Sequence, residues 1–526
     1  MAIHPLLLHA FDAAYLLIQS RALRRFQAAT HDVLGTQARL LARLVDRNRD
    51  TAYGRAHAFA RIRSVADFQA RVPVVAHRDL VPWIERAAAG EANVLTRSAV
   101  LLFEPTSGTT EQPKLIPFTR DLLAEIQNAT GAWLCDLYRA RPQLRGTRSY
   151  WSISPALRAV RRTAGGARIG FADDTEYLGP LASWLWRQKL AVPPAVARCA
   201  DIEGWRHQTL RHLLLADDLG MISVWSPTFL SLLMTTLERR FEAVLADLPP
   251  GRAAELRRRV DAAGALTAAA LWPRLGLISC WTAASARLFV ADLGRWFAGV
   301  EIQGKGLMAT EGIVSFPLSA ENRGPVAAIR SHFLEFQPVS GSRERPRLAH
   351  ELEAGERYVP LLSTGGGLYR YALGDVVACV GHHHQAPLLQ FEGKRDLTSD
   401  LAGEKLDATA VSAALEHASQ TLGAPLRFAL VAPALESTPG YRLYVDCDAD
   451  DAALDRFVGA VEASLCGNFH YRYCRDLGQL AALRVRRVTD GWARFEAAQA
   501  RRGAVLGGLK PLGLDSRPDW AEVFGA

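Results

Sequence analysis

Leu, Ala and Val recur at three- and four-residue spacing through the first ninety residues, most regularly over Leu34–Val45 and around Asp79–Ala89. That is the period of a helix with one buried face, so a helical entry region is expected. Met1–Arg25 is apolar in places but interrupted by His9 and Asp12. With no basic leader ahead of an unbroken apolar stretch, it reads as an amphipathic helix rather than a signal peptide. The pattern switches at Val100–Phe103, a short apolar run opening into Pro, Thr, Ser and Gly; this predicts a buried strand that feeds a loop. Gly276–Trp281 and Val300–Gln303 read as further strands, with a helical stretch at Ala286–Phe297 between them. Alternating strands and helices indicate an α/β domain with a largely parallel sheet. From about Phe391 the character changes. Gly393, Lys394, Arg395 and Asp396 form a charged turn, followed by a helix near Thr409–Gln420 and strands near Phe428 and Tyr441. The turn is read as a domain boundary and the remainder as a small α+β domain, with no internal repeat or low-complexity tract.

Length supports that division, because 526 residues exceed what one core of ordinary size organises. Hydrophobic residues at 49% and charged residues at 22% place the chain among ordinary globular proteins and exclude intrinsic disorder as its general state. The net charge of +8 is scattered, with no run of five or six basic residues. A nucleic-acid partner needs a clustered patch or a recognisable motif, so a site for an anionic small molecule is the better reading. The seven cysteines are odd in number and include no CxxC pair, which argues against a disulfide framework or zinc knuckle and fits a reducing, cytoplasmic compartment. No apolar run reaches the roughly eighteen residues of a membrane span, so no membrane partner is expected.

Three clusters carry chemistry. Phe103–Thr119 reads FEPTSGTTEQPKLIPFT, crowding Thr106, Ser107, Gly108, Thr109 and Thr110 ahead of Lys114. Hydroxyls and amides donate to phosphate oxygens, a glycine permits close backbone approach, and lysine adds a positive charge. It is not a Walker A loop, since the second glycine and the Lys-Ser/Thr pair are missing. Gly304–Pro317, GKGLMATEGIVSFP, sets Thr310 and Glu311 between glycines: a hydroxyl suited to phosphate and a hard carboxylate suited to Mg²⁺, or alternatively a helix cap. Gly365–Val377, GGGLYRYALGDVV, places Asp375 after Gly374, either a ribose-binding carboxylate or a turn aspartate. The run His382–His384 reads as a loop, because adjacent side chains point apart and cannot complete a tetrahedral metal site. Trp225, Phe229 and Trp281 read first as core, second as acyl-pocket residues.

The order and separation of these clusters resemble the acyl-adenylate-forming enzymes, and specifically the auxin-responsive Gretchen Hagen family of acyl-acid amido synthetases. DTAYGRAHAF (Asp50–Phe59), FQARVPV (Phe68–Val74), GLYRYALGDVV (Gly367–Val377), FEGKRDLTSDLAGEKL (Phe391–Leu406) and NFHYRYCRDLGQL (Asn468–Leu480) are similar to that family's segments in its order. The resemblance implies a large N-terminal α/β domain over 1–392 with mostly parallel sheets flanked by helices, carrying ATP and acyl sites. A small, mobile α+β C-terminal domain over 397–526 follows, with a hinge near 393–396. It further implies that Thr106, Ser107, Gly108, Thr109, Thr110 and Lys114 form the phosphate loop and that Thr310 and Glu311 form the adenylate and metal motif, Glu311 holding Mg²⁺ and Met308 and Ala309 lying beside the nucleotide. Asp375 matches the ribose-binding aspartate. Lys394 sits where a hinge arginine is usual, with Arg395 next to it, and Lys510 in GGLKPLG matches the catalytic C-terminal lysine. Gly508 stands where glutamine is expected, Pro511 directly follows the lysine, and Leu307 stands where many members carry an aromatic residue.

The implied activity is an ATP- and Mg²⁺-dependent ligase that adenylates a carboxylic acid and passes the acyl group to an amine, by resemblance an amino acid. Such chemistry rests on positioning and electrostatics and needs no nucleophilic side chain, in accord with the missing GxSxG elbow. The alternatives are an acyl-CoA ligase, which shares the adenylation step, and a non-catalytic relative that binds ATP or an acyl acid. Neither the acid, the amine nor the oligomeric state is legible in the sequence.

Overall fold

The computed structural model describes the chain apart from residues 1–4, 107–113, 153–160, 172–185, 200, 341–343, 395–397, 437, 503, 505–508, 511–512 and 526. The chain forms two compact units. The first comprises Met1–Trp205, Asp218–Ile222 and Gln303–Phe391, and the second comprises Arg206–Asp217, Ser223–Ile302 and Glu392–Ala526.

The first unit opens with the expected helices: α1 (Pro5–Ala29), α2 (Val33–Asn48), α3 (Ala52–Ala56), α4 (Val65–Arg71) and α5 (His77–Ala88). Their starts are written in local chemistry. Asp32 accepts the Gly35 N–H to cap α2, Thr51 accepts the Gly54 N–H to cap α3, and Ser64 with Asp67 forms a reciprocal capping box on α4. Strands β1 (Val100–Pro105) and β2 (Leu115–Thr119) then pair antiparallel, and Thr119 caps α6 (Arg120–Ala140). Helix α1 packs along α6, burying Leu8, Tyr15, Leu23 and Phe26 while Leu17 and Ile18 face outward.

The α/β class holds, and it includes a large antiparallel sheet that the strand–helix alternation did not announce. In the largest sheet the strand order is Ser315–Phe316, Val326–Ala327, Ala386–Lys394, Asp375–His383, Arg357–Ser363, Phe333–Pro338 and Arg347–Leu348. Tyr371–Ala372 adds to Arg357–Ser363 beside this path, and the registers around these strands run antiparallel. The reason is connection length. Asp375–His383 and Ala386–Lys394 are joined by only two residues, whereas a parallel return needs a crossover of about a dozen or more.

In the second unit a helix over Pro227–Ala246, bent at Arg240, is followed by one over Pro250–Ala263. The helix expected at Ala286–Phe297 is instead a series of 3₁₀ turns at Ala284–Phe289 and Ala291–Leu293, ending in one α-helical turn at Gly294–Phe297. Gly294 itself is helical, at φ −59° and ψ −23°, and helix in such short pieces commonly winds as 3₁₀. The C-terminal part has Leu426–Ala434 antiparallel to Gly440–Cys447, with Arg484–Arg487 added in parallel. Alternation across this sheet sorts its side chains. Ala429, Val431, Leu443 and Val445 join Val411, Leu415, Phe457 and Val461, whereas Phe428, Leu430 and Tyr444 join Phe495, Trp520 and Phe524.

Candidate active site

Strands β1 and β2 end in register at Pro105 and Leu115, and the Thr106 N–H donates to the Lys114 carbonyl at 2.9 Å. The two strands therefore form a hairpin that is hydrogen-bonded closed as far as Thr106 and Lys114. Ser107, Gly108, Thr109 and Thr110 lie outside the described residues. Beside the hairpin base, His77 at the start of α5 is held below the ordinary histidine range, first by burial and then by the positive charge of Lys114, against a hydrogen bond with the Leu115 backbone.

The second cluster is also a hairpin. Met308–Ala309 pairs with Gly312–Ile313, leaving Thr310 and Glu311 as its turn. The helix-cap alternative for these two residues is thereby set aside. Gly306 adopts φ +77° where an added Cβ would meet the Ser315 carbonyl at 2.5 Å, so only glycine lets the strand enter here. Leu307 is buried, its N–H donating to the Ser315 hydroxyl at 3.0 Å.

The third cluster meets the second. Tyr371 donates its phenol to Glu311 Oε1 at 3.3 Å, and Asp375 begins the strand that follows. Glu311 is 8% and Asp375 2% exposed. Burial first, then the Glu311 carboxylate, with a further contribution from Asp375, holds the Tyr371 phenol far above its ordinary value. It is therefore a permanent donor at neutral pH. The run Gly365–Gly367 lets the chain ahead of Tyr371 pass close to β2 and α6. A Cβ at Gly365 would meet Asp121 Cβ at 2.6 Å, and one at Gly366 the Pro117 carbonyl at 2.7 Å.

Two further arrangements hold these segments. Arg370, at φ +47°, buries its guanidinium on Glu335 and also donates to the Gln69 and Val72 carbonyls. His332 Nε2 accepts the Ile313 N–H at 3.1 Å, while its Nδ1 lies 2.8 Å from Glu125 Oε2. Both Glu125 oxygens accept the Gly365 N–H at 3.0 Å. Sequence reasoning singled out neither pair. Arg370 and Tyr371 lie inside a quoted segment, but His332 and Glu125 are isolated residues with no motif signal.

Thr106, Lys114, Met308, Ala309, Thr310, Glu311 and Asp375 thus belong to the first unit, and Lys394 and Lys510 to the second. Lys394 ends the strand Ala386–Lys394, and Arg395 lies outside the described residues. Lys510 Nζ sits 5.5 Å from the Trp281 ring, which is tilted against Trp225, while Phe229 is buried. The donor set suits a divalent hard cation beside a phosphate: a carboxylate and a hydroxyl at one turn. His382 and His383 end a strand, His384 lies in the exposed turn, and no group of three or more metal-competent side chains occurs among the described residues. No helix among them is long and apolar enough to cross a membrane.

Comparison with known proteins adds three successive matches, to the GH3 family N-terminal domain at residues 22–252, the GH3 family central domain at 326–394 and the GH3 family C-terminal domain at 409–514. The chain is 25% identical over 461 residues to a probable indole-3-acetic acid-amido synthetase GH3.12 of Oryza sativa subsp. japonica, covering 76% of this chain and 75% of the relative. It is 23% identical to the jasmonoyl--L-amino acid synthetase JAR6 of Nicotiana attenuata, covering 77% and 76%. Its fold matches the solved structure of AtGH3.15 acyl acid amido synthetase in complex with 2,4-DB, with a TM-score of 0.86 at 19% identity over 96% of this chain and 95% of the other.

Proposed function

This chain belongs to the GH3 family, and from that premise we propose that it is an acyl-acid amido synthetase that adenylates a carboxylic acid with ATP and transfers the acyl group to an amino acid. The observation that carries this reading at the level of geometry is the meeting of the Thr310–Glu311 turn with Tyr371 and Asp375 in one unit. A carboxylate oxygen of the acid attacks the α-phosphorus and pyrophosphate leaves. The amine then attacks the acyl carbonyl, losing a proton as AMP leaves with the acyl bond's electrons. Lys114 with Thr106, Ser107, Gly108, Thr109 and Thr110 binds phosphate oxygens, Thr310 donates to the α-phosphate, and Asp375 accepts the ribose hydroxyls. Glu311 would hold Mg²⁺, which when bound neutralises charge on the phosphate oxygens. Tyr371 orients the Glu311 carboxylate by donating to it.

In the same proposal the adenylation domain runs over 1–392 and the C-terminal domain over 397–526, with the hinge at 393–396 and Lys510 serving adenylation. A cytoplasmic location agrees with seven free cysteines. Pyrophosphate exchange across a panel of carboxylic acids tests the first half-reaction, and AMP release with amino acids or CoA tests the second. Exchange followed by amino-acid-dependent AMP release is expected. Release that answers to CoA alone makes the chain an acyl-CoA ligase, and ATP binding without exchange for any acid makes it a binder.

A further inference from the structure

His332 lies on the strand side of the candidate site, fully buried, and the mechanism above makes no use of it. Its hydrogen bonds dictate its protonation. Nε2 faces the Ile313 backbone N–H at 3.1 Å, so it must be the acceptor and carry no proton. The proton then resides on Nδ1, which donates to Glu125 at 2.8 Å. The approach is close enough to require a glycine: a Cβ at Gly312 would lie 2.6 Å from His332 Nε2. The far end of the relay reaches the third cluster. Glu125 accepts the Gly365 N–H with both oxygens, at the head of the glycine run that leads to Tyr371 and Asp375. Glu125 itself stands on α6, whose cap residue Thr119 closes the strand leaving the phosphate loop and donates to the Gly365 carbonyl at 2.9 Å. One His–Glu pair, its imidazole fully buried and its carboxylate partly buried, therefore ties together the segments that carry all three chemical clusters.

We propose that His332, as the neutral Nδ1–H tautomer held by Glu125, is a positioning residue for adenylation, fixing the Gly312–Ile313 backbone and through it the Thr310–Glu311 turn. This rests on the ligase reading above. A buried acceptor that meets a backbone donor at the foot of a two-residue turn sets where that turn points, and displacement of a charge-stabilising group by about 1 Å costs on the order of a hundredfold in rate.

The test has two arms. In the first, wild-type protein with ¹⁵N-labelled histidine is examined by NMR without ATP or metal, with His332 assigned by its absence from His332→Gln. A proton on Nδ1 and a bare Nε2 are expected, and an Nε2–H tautomer would overturn the proposal whatever reaction the protein catalyses. The second arm compares adenylation kinetics. His332→Leu keeps the bulk and removes the acceptor, so the adenylation rate constant should fall about a hundredfold with the KM for ATP changed less than about threefold. His332→Gln places a carboxamide oxygen near the lost Nε2 and should recover most of that rate. An unchanged rate in His332→Leu, or a loss that Gln does not rescue and that follows a lowered melting temperature, would overturn the positioning role. If no carboxylic acid supports pyrophosphate exchange in the wild type, the ligase reading fails while the tautomer result stands by itself.

Discussion

Replacing Arg370 by Ala should strand a buried carboxylate. Glu335 is fully buried and Arg370 is 4% exposed. The guanidinium meets Glu335 at 3.0–3.2 Å through Nε and Nη2, while Nη1 reaches the Gln69 and Val72 carbonyls at 3.0 and 2.7 Å. Gln69 Nε2 also donates to Glu335 at 2.9 Å and remains after the substitution, but a neutral donor does not balance the charge. Removing one partner of such a pair costs about 3–5 kcal/mol. At about 1.6 °C per kcal/mol for a unit of roughly 300 residues, the melting transition of the first unit should drop by about 5–8 °C. Arg370→Met combined with Glu335→Leu removes both charges and should recover most of the loss, because the desolvation cost vanishes with the pair. Scanning calorimetry of the wild type, both single variants and the double variant measures the coupling directly. The backbone of Arg370 accepts the Val75 N–H and donates to Ser363 Oγ immediately before Tyr371, so ATP affinity should weaken alongside stability. Single variants melting within about 2 °C of wild type would refute the reasoning, since that shift corresponds to little more than about 1 kcal/mol.

Three substitutions address the chemistry. Glu311→Gln keeps shape and removes charge, and should lower the adenylation rate by roughly two to three powers of ten, with a wild-type rate in pyrophosphate exchange refuting the metal assignment. Asp375→Ala should weaken binding of ATP but leave binding of 2′,3′-dideoxy-ATP nearly unchanged, the partner already being absent there; calorimetric titration showing equal losses would sink the ribose role. Lys510→Ala should depress acyl-adenylate formation strongly while aminolysis of a supplied acyl-adenylate survives, as single-turnover assays of the two steps will read.

Much of this protein was legible locally. Apolar spacing announced the entry helices, since each of α2 to α4 carries its own start signal within four residues. The three clusters were visible because the phosphate, metal and ribose roles proposed for them call for hydroxyls, carboxylates and glycines close together in the chain. The antiparallel sheet was not foreseen: alternation of strand and helix spoke for parallel pairing elsewhere in the chain, whereas the two-residue link between Asp375–His383 and Ala386–Lys394 imposes a hairpin there. The 3₁₀ turns at Ala284–Leu293 escaped because their apolar spacing satisfies a helical period as well.

What sequence by itself determined, then, is the identity of the residues proposed for the site: Lys114, Thr310, Glu311 and Asp375 are chemical types at local spacings, which a linear string records in full. What only the tertiary structure decided is who holds them. Glu125 and His332 stand 207 residues apart and Glu335 and Arg370 are 35 apart. A hydrogen bond between such residues follows from the folding of distant segments against one another, and no periodicity or motif encodes that meeting in either segment alone. The glycines mark the boundary between the two kinds of information. Gly312 and Gly365–Gly367 were visible as letters, yet the atoms they make room for, the His332 ring and the first turn of α6, were not.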